Sequence, residues 1–312
     1  MKVLIVIGCN ELEDAPFVLL QKNNLEKLGV KCFVFLINKK GIFGYLSLLP
    51  SFWKTIKIEN PDVIHAHYGL SGLFSIIQLK KPVLISYIGS DLIVKKIRLA
   101  SLFTMLFTKF SILTSKSLYE IVPFKKKNFR LIPYGIDLEN FIIIDKQSAR
   151  VKLGLNPNKT YCLFPALKSR PEKNFVLAEK SINQIGGIEI IEIGHKKPIQ
   201  ELNLIFNACD FLILTSLYEG GPQVIFEALA TNLPIVSTDV GVVKENVKDI
   251  DGCYICDFSV EDTVSKIREV LQFKGRTEGR KRIQEINLDS RIIAQDIFSL
   301  YEKAIKKNKH LC

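Results

Sequence analysis

Two glutamates, Glu219 and Glu227, stand eight positions apart around the sequence Gly-Gly-Pro at residues 220–222. The apolar run before them, residues 211–215, is typical of a buried strand, and Pro222 suits the first position of a helix because it lacks an N–H. Glycines let backbone N–H groups approach a ligand closely, and the unpaired N–H groups at a helix start suit a phosphate. The spacing therefore predicts a ligand-binding turn between a strand and a helix.

The two carboxylates predict two sets of hydroxyl groups on that ligand. A carboxylate repels phosphate, so Glu219 is expected to accept hydrogen bonds from the hydroxyls of a sugar. Glu227 follows Pro222 by about 7–8 Å along a helix axis, where a second set of hydroxyls such as a ribose fits. The simpler interpretations are a helix-stabilising acid at Glu219 and a solvated Glu227. Because both acids flank Gly-Gly-Pro behind a strand, a nucleotide-sugar is the favoured ligand.

The turn belongs to a strand–helix alternation that runs along the whole chain. Short β-branched runs predict strands at residues 3–7, 32–37, 63–66, 83–87, 112–114 and 130–132. Amphipathic stretches such as 17–28 and 71–79 lie between them, and the pattern restarts after about residue 145. Such alternation is typical of parallel sheets covered on both faces, so we predict an α/β protein with two similar halves. A long final helix is expected at about 288–307.

Charge is distributed unevenly between the halves. Residues 1–150 carry 21 Lys and Arg against 11 Asp and Glu, a net charge of +10, whereas residues 151–312 carry 22 against 21, a net charge of +1. The basic half predicts an anionic partner, either nucleic acid or a membrane surface, unless the charge serves solubility alone. No stacking motif or basic recognition helix supports nucleic acid, so no nucleic-acid partner is expected.

The composition is that of a soluble globular protein, with 47% hydrophobic and 24% charged residues among 312, a length that favours two domains. The apolar runs fall short of the ~18–20 residues that span a bilayer. Seven cysteines without a disulfide-like pattern favour the cytoplasm. Cys253 and Cys256 form a C-x-x-C without two further ligands, so semi-buried thiols are favoured over a zinc site.

Residues 218–245, YEGGPQVIFEALATNLPIVSTDVGVVKE, resemble the E-x7-E signature of retaining GT-B glycosyltransferases of family 4. Other segments resemble this family in the expected order and extend the resemblance over nearly the whole chain: PDVIHAHYGLSG (61–72), PVLISYIGSDL (82–92), ILTSKSLYE (112–120), LIPYGIDLENF (131–141), ARVKLGL (149–155) and FPALKSRPEKNF (164–175). APFVLLQKNNLEKLGVKCFVF (15–35), followed by GYL, most resembles the subgroup that builds cell-surface polysaccharides and teichuronic-acid-like polymers.

The resemblance implies the GT-B fold, two Rossmann-like α/β/α domains that face each other across a cleft. Residues 1–145 would form the basic, acceptor-side domain, and residues 146–287 the donor-binding domain. Residues 288–312 would form a C-terminal helix, and packing back on the first domain is one arrangement open to it. His67, Gly89 and Asp91 fall on the acceptor side of this arrangement, although His67 fits a hydrogen-bonded structural histidine equally well.

The resemblance also assigns roles at the predicted donor site. Glu219 and the turn after it would hold the sugar, and Glu227 the ribose. Lys168 and Lys173 would neutralise the leaving diphosphate, with Arg170 as an alternative for the first cation and a solvated charge run as the alternative for the two lysines. The predicted donor-site positions are Lys168, Arg170, Lys173, Glu219, Gly220, Gly221, Pro222, Gln223, Val224 and Glu227.

Three features depart from the family or compete with it. Ile88 stands where many members carry a histidine that contacts the donor sugar. Residues 183–202 are shorter than the segment that helps to hold the nucleobase, which leaves the base open. Asp249-Ile250-Asp251 is formally a metal-binding D-x-D, but its polar loop argues against that role.

We therefore expect transfer of a sugar from a nucleotide-diphosphate-sugar to a glycan or lipid-linked acceptor in cell-surface polysaccharide biosynthesis. The resemblance implies retention of configuration and no metal or other cofactor. No residue stands out as a general base, and a donor phosphate oxygen can take the acceptor's proton. The alternatives are a degenerate, non-catalytic nucleotide-sugar-binding protein, supported by Ile88 and the short 183–202 segment, and an epimerase, whose motifs are not found.

Two stretches predict contact with an anionic membrane. GIFGYLSLLPSFWKTIKI (41–58) places Trp53 beside Lys54 and Lys57, and LIVKKIRLASLFTMLFTKF (92–110) mixes the same residue types. Core-facing helices with solvated lysines explain the pattern equally well. The hypothesis is a cytoplasmic protein that lies peripherally on the inner face of the plasma membrane.

Overall fold

The computed structural model describes residues 1–193, 197–219 and 221–309, the last three of these by their backbone. The chain divides into two compact units. The first comprises Met1–Gly135 and Ser290–Cys312, and the second comprises Ile136–Asp289.

The first unit contains a six-stranded sheet in which every strand pairs in parallel with its neighbours, in the order β2-β1-β3-β4-β5-β6. Its strands are β1 (Lys2–Ile7), β2 (Lys31–Leu36), β3 (Val63–His67), β4 (Val83–Tyr87), β5 (Phe110–Leu113) and β6 (Phe129–Leu131). Its first six helices are α1 (Pro16–Lys27), α2 (Gly41–Glu59), α3 (Gly69–Ile76), α4 (Ser90–Ile93), α5 (Lys95–Phe107) and α6 (Lys116–Ile121). The predicted strands are confirmed to within two residues.

Helices cover both faces of this sheet, which explains why the strands are apolar without alternation. Leu4 and Val6 of β1 point into a core that includes Phe52 of α2 and Phe74 of α3. The alternate residues of β1, such as Ile5, join a second core with α1.

The second unit contains a five-stranded parallel sheet in the order β11-β10-β9-β7-β8. Its strands are β7 (Thr160–Phe164), β8 (Ile188–Glu192), β9 (Phe211–Leu214), β10 (Ile235–Thr238) and β11 (Cys253–Cys256). Its helices are α7 (Lys146–Leu153), α8 (Phe175–Ile185), α9 (Ile199–Ala208), α10 (Gln223–Ala230), α11 (Val243–Val247), α12 (Val260–Gln272) and α13 (Gly279–Glu285). Apolar cores lie on both faces of this sheet as well.

The chain returns to the first unit through its last helix, α14 (Ser290–Lys309). Ile297 and Tyr301 of this helix are buried in the core that β1 and α1 share. The Tyr301 hydroxyl hydrogen-bonds Nδ1 of His65 on β3 at 2.7 Å. Gly135 permits the chain crossing, because a Cβ atom there would lie 2.4 Å from the Cα of Ser290.

The boundary between the units falls ten residues earlier than the predicted 145/146. Ile136 donates its N–H to Leu288 O at 2.8 Å, and Ile136, Leu138 and Phe141 are buried in the core of the second unit. Arg280 fastens the same segment, because its guanidinium donates to the carbonyls of Leu138 and Phe141 at 2.8 and 2.6 Å. Burial and hydrogen bonding thus assign residues 136–145 to the second unit. The second boundary lies at 289/290, beside the predicted 287/288.

The two stretches considered for membrane contact are both largely helical. Residues 41–58 lie within α2, and α4 and α5 occupy most of residues 92–110. Across the part of the chain that the structure describes, no helix is long and apolar enough to cross a membrane.

Candidate functional site

The predicted turn lies at the carboxyl edge of the second sheet. Strand β9 is buried along its whole length, and its neighbour β7 runs parallel to it, so the segments that leave these two strands emerge at the same edge. In open α/β sheets this edge is where ligands bind. Residues 215–222 leave β9 here and enter α10, while residues 165–174 leave β7 and enter α8.

Hydrogen bonds hold these two segments together. The hydroxyl of Thr215 donates to the carbonyls of Lys173 and Asn174 at 3.1 and 3.0 Å. The N–H of Leu217 donates to the carbonyl of Glu172 at 2.9 Å. These hydrogen bonds hold the two segments together without a ligand.

Glu219 and Lys173 meet within this junction. Their charged groups lie 2.5 Å apart, and the Ser216 hydroxyl donates to the same carboxylate oxygen at 2.8 Å. The two side chains are 14% and 16% exposed, so the pair is partly shielded yet still reachable from solvent. The sequence assigned these residues to different parts of a ligand, and the structure pairs them with each other. A ligand with hydroxyls and a diphosphate can thus meet an acceptor and a donor side by side.

The turn into α10 differs from the expectation in one respect. Pro222 is the residue before the helix, with φ −69° and ψ 107°, rather than its first helical residue. Proline still suits this position, because its ring fixes φ near the observed value of −69°. A Cβ atom at Gly221 would meet nothing within 4 Å, so the backbone is open to a ligand there. Gly220 lies outside the described residues.

Gln223 and Val224 form the first turn of α10, and both are partly exposed. Their position places the N-terminus of α10, with the positive end of the helix dipole, at the carboxyl edge. The helix ends where the sequence predicted. Thr231 is its C-cap, and Asn232, the next residue, has φ 56° in the left-handed region.

Glu227 lies one turn further along α10, between buried Phe226 and Ala228. The residue as a whole is partly exposed, whereas its carboxyl is enclosed by protein, and the loss of solvation raises the pKa of this carboxyl to about 7. Within the described residues, no hydrogen bond or ion pair satisfies this carboxyl. The Glu227 carboxyl can accept hydrogen bonds when it is ionised and donate one when it is protonated. No group among the described residues occupies it.

The other two cations of the predicted clamp are placed differently from Lys173. Lys168 and Arg170 are exposed. Arg170 forms an ion pair with Glu172 at 2.6 Å, and the backbone N–H of Lys168 donates to Glu192 at 3.3 Å. The structure therefore brings Lys173, but neither of these side chains, onto Glu219. Their contact with a diphosphate stays a prediction.

The predicted acceptor-side residues lie in the first unit. The Asp91 carboxylate accepts hydrogen bonds from the N–H groups of Gly69, Ile88 and Gly89 at 3.0, 3.1 and 2.9 Å. Burial is the main cause that raises the pKa of Asp91 to about 6, and these N–H groups oppose it. Gly89 has φ 142°, which favours glycine. Asp91 therefore ties together the segments that follow β3 and β4.

His67 is fully buried at the end of β3. Its Nδ1 hydrogen-bonds the hydroxyl of Tyr134 at 2.9 Å, while its Nε2 has no partner among the described residues. Burial lowers the pKa of His67 well below its ordinary value, so the ring is neutral. A purely structural role for His67 therefore explains the hydrogen bond of Nδ1 but gives no partner for Nε2 among the described residues.

Two sequence features considered for metal binding lie elsewhere. Asp249 and Asp251 precede β11, at the amino edge of the second sheet, which is the edge opposite to the candidate site. Cys253 and Cys256 both lie on β11, the first partly exposed and the second buried. Within the described ranges, no three His, Cys, Asp or Glu side chains are grouped so as to hold a metal ion.

Thr215 and Ser216 are site residues that the sequence interpretation missed. Two consecutive hydroxyl residues at the end of a wholly apolar strand were the available signal. At a carboxyl edge such residues commonly fasten loops or orient charged groups. Here the Thr215 hydroxyl fastens the loop after β7, and the Ser216 hydroxyl orients the Glu219 carboxylate.

Two family models match the chain. Residues 172–287 match the model described as "Glycosyl transferases group 1", and residues 18–117 match "Glycosyl transferase 4-like". The chain is similar to D-inositol 3-phosphate glycosyltransferase from Mycobacterium marinum, at 24% identity over 46% of this chain and 37% of that protein. The match thus spans little more than a third of that relative's length.

The fold is similar to those of solved glycosyltransferase-like structures. Sucrose-phosphate synthase from Thermosynechococcus elongatus has a TM-score of 0.84 at 16% identity, with 98% of this chain and 100% of that chain covered. HepE from Anabaena, solved in complex with UDP and glucose, has a TM-score of 0.77 at 16% identity, with 97% and 100% covered. These likenesses show a shared fold.

Two regions of the chain thus match glycosyltransferase family models, and its two parallel-sheet α/β units share the GT-B fold of these solved structures. The predicted fold is confirmed, and both family models that match the chain describe glycosyltransferases.

Proposed function

We propose that the protein transfers a sugar from a nucleotide-diphosphate-sugar to an acceptor, with the donor held at the carboxyl edge of the second sheet. The observation that carries this proposal is the Glu219–Lys173 pair, 2.5 Å between charged groups and still partly exposed beside the start of α10. A carboxylate that can accept from hydroxyls and an ammonium that can bind phosphate suit a ligand that carries both groups.

In this proposal the donor lies along the segment from Glu219 to Glu227. The sugar hydroxyls take the place of Lys173 on the Glu219 carboxylate, which frees the ammonium for the diphosphate. The N-terminus of α10 adds the positive end of its dipole to the same phosphates. The unsatisfied carboxyl of Glu227 takes the ribose hydroxyls. The open backbone at Gly221 lies between these groups.

The transfer step follows from these contacts. The bond between the sugar C1 and the diphosphate oxygen breaks, and a bond forms between C1 and the acceptor oxygen. The proton of the acceptor hydroxyl moves to an oxygen of the departing diphosphate, so no protein base is needed. Lys173, with Lys168 or Arg170 as a second cation, stabilises the negative charge that develops on the leaving group. Retention of configuration and independence of metal belong to this proposal.

The acceptor is proposed to bind the first unit, which carries the positive charge of the chain. We propose a glycan or lipid-linked acceptor of cell-surface polysaccharide biosynthesis, reached at the inner face of the plasma membrane. HepE was solved with UDP and with UDP-glucose, so UDP-sugars are the first donors to test.

The test is release of nucleoside diphosphate from a panel of nucleotide-sugars in the presence of lipid-linked acceptors. Glu219→Ala is expected to abolish release while it leaves the protein folded. Full activity in this variant would contradict the site assignment. Binding of a nucleotide-sugar without turnover, for every acceptor, would favour the non-catalytic alternative.

A further inference from the structure

A polar cavity of about 340 Å³ lies at the amino edge of the second sheet. One wall is the loop before β11, at residues 249–251, and the other is formed by residues between 273 and 285, which follow α12 and include α13. The candidate donor site lies at the opposite, carboxyl edge, so the cavity is separate from it. Its volume is at the lower end of the range for small-molecule pockets.

The charged side chains that line the cavity lie at different depths. Arg276 and Arg282 are half-buried. The other charged lining residues are exposed: Asp249, Asp251, Glu278, Lys281 and Glu285. Water and salt screen the exposed carboxylates, whereas the two guanidiniums act through a lower dielectric. The inner part of the cavity therefore attracts an anion, although acids outnumber cations around it.

Each of the two arginines has a buried N–H without a partner. Arg276 donates from Nη2 to the carbonyl of Asn207, while its Nη1 has no hydrogen-bond partner among the described residues. Arg282 donates from Nη2 to the carbonyl of Lys248 at 3.1 Å, while its Nε likewise has none. Glu285 lies 3.9 Å from Nη1 of Arg282, beyond hydrogen-bond distance. Buried N–H groups are nearly always paired in native proteins, so two beside one cavity call for an acceptor.

The charge of Arg276 is not neutralised by the nearest buried acid. Asp210 lies in its surroundings but already pairs with Arg150 and Lys146, at 2.7 and 2.8 Å. Burial lowers the pKa of the Arg276 guanidinium below its ordinary value, which is so high that the group stays charged at neutral pH. Arg276 is therefore a cation that still lacks an anionic partner.

The two kinds of side chain suit the two ends of one small molecule. Guanidinium N–H groups match the oxygens of a phosphate, and two such cations suit the nearly double negative charge of a phosphate monoester better than the single charge of a carboxylate. The exposed carboxylates at the mouth of the cavity can accept hydrogen bonds from hydroxyl groups. The cavity is thus complementary to a phosphate ester that also carries hydroxyls.

The walls are fixed without a ligand. Gly252 has φ 85°, and a Cβ atom there would lie 2.6 Å from the ring of Phe273, so the loop before β11 packs closely on the end of α12. The N–H of Thr277 donates to the carbonyl of Asn232 at 2.9 Å, which anchors the segment that leads into α13. The cavity is therefore preformed, and binding needs little rearrangement.

We propose that this cavity is a second ligand site, which binds the phosphate of a small sugar phosphate at Arg276 and Arg282 and its hydroxyl groups at the exposed carboxylates. This inference is independent of the proposed function, because no residue of the candidate donor site takes part in it.

The test is calorimetric binding of glucose 6-phosphate to the full chain, with glucose, inorganic phosphate and glucuronate as matched probes. Glucose 6-phosphate is expected to bind about tenfold or more tightly than each of them, because they lack the phosphate, the hydroxyls and the second negative charge, respectively. Arg282→Gln should weaken its binding about 30-fold, the loss expected for a hydrogen bond to a charged group. Arg268→Gln on α12, an exposed arginine that does not line the cavity, should bind like the wild type.

Asp251→Trp, at an exposed turn position, obstructs the mouth of the cavity and is the second variant if Arg282→Gln unfolds. Binding of glucose 6-phosphate that the folded variant leaves intact would overturn the proposal. No measurable binding at millimolar concentrations would do the same. Equal binding of inorganic phosphate would mean an adventitious anion only, and equal binding of glucuronate would mean that the site does not select phosphate; both contradict the inference.

Lys173→Met separates this site from the candidate donor site. Its affinity for glucose 6-phosphate should equal that of the wild type, and a loss would place the ligand at the donor site and overturn the inference. Nucleotide-sugar binding that Lys173→Met leaves unchanged, together with glucose 6-phosphate binding that Arg282→Gln weakens, would contradict the proposed function alone.

Discussion

The carboxyl edges of the two sheets use their charged side chains in different ways. At the first edge, Asp91 is fully buried and accepts hydrogen bonds from three backbone N–H groups. At the second edge, Glu219 and Lys173 pair with each other and remain partly exposed. One carboxylate fixes loops, and the other is held ready for exchange with a ligand. The hydrogen bonds that a buried carboxylate already accepts from backbone N–H groups thus distinguish the acid that fixes loops from the acid that a ligand can reach.

The largest expected effect concerns the second edge. Lys173→Met should slow sugar transfer by about 100- to 1000-fold, because the leaving diphosphate loses the cation that the structure places beside Glu219. Lys168→Met is the matched control, since its side chain is exposed and away from that pair, and about a tenfold loss is expected. Rates of nucleoside diphosphate release measure both. A Lys173→Met variant with the wild-type rate would remove the main difference between the two edges.

The next effect concerns the first edge. Asp91→Ala should lower the free energy of unfolding by about 3 kcal/mol, because three buried N–H groups lose their acceptor. Asp62→Ala is the control, since that exposed carboxylate accepts one backbone hydrogen bond, from Lys2, and its loss should cost about 1 kcal/mol or less. Urea unfolding measures both. If Asp91→Ala keeps its stability and loses transfer, Asp91 is a ligand-binding residue after all.

The smallest effect concerns Glu227 and depends on pH. Its pKa is about 7 in the folded protein against 4.5 for the free side chain, so its ionisation opposes folding. This cost is absent below pH 4.5, grows as the pH rises to about 7, and is constant above that. Glu227→Gln should therefore stabilise the protein at pH 8, by about 1–2 kcal/mol after allowance for partial exposure, and have little effect at pH 4.5. Unfolding at both pH values tests this; a gain of equal size at each would show that ionisation is not its cause.

The sequence was sufficient for the strands and the two-unit architecture because these depend on continuous apolar runs. Strand β1 is buried on both faces, as its short, continuous run of β-branched and other apolar residues predicts. Residues 136–145 were assigned to the wrong unit because their placement depends on distant partners. Arg280 holds this segment from about 140 residues away, and no local pattern reveals that bond.

The same reasoning applies to the site. The positions of Glu219, Pro222 and Glu227 on a strand–turn–helix unit followed from local signals. The pairing of Glu219 with Lys173 did not, because it joins loops after two different strands. The hydrogen bonds of Asp91 to backbone N–H groups were likewise not predictable. An aspartate that binds backbone N–H groups and an aspartate that binds a ligand look the same in the sequence.

The most direct test of the central claim is calorimetric binding to three proteins, the wild type, Glu219→Gln and Lys173→Met. The ligands are the nucleotide-sugar that the wild type binds most tightly and its parent nucleoside diphosphate. Glu219→Gln should keep its affinity for the nucleoside diphosphate and lose the added affinity for the sugar, whereas Lys173→Met should lose affinity for both. Unchanged binding of the nucleotide-sugar in both variants would contradict the assignment of the donor to this edge.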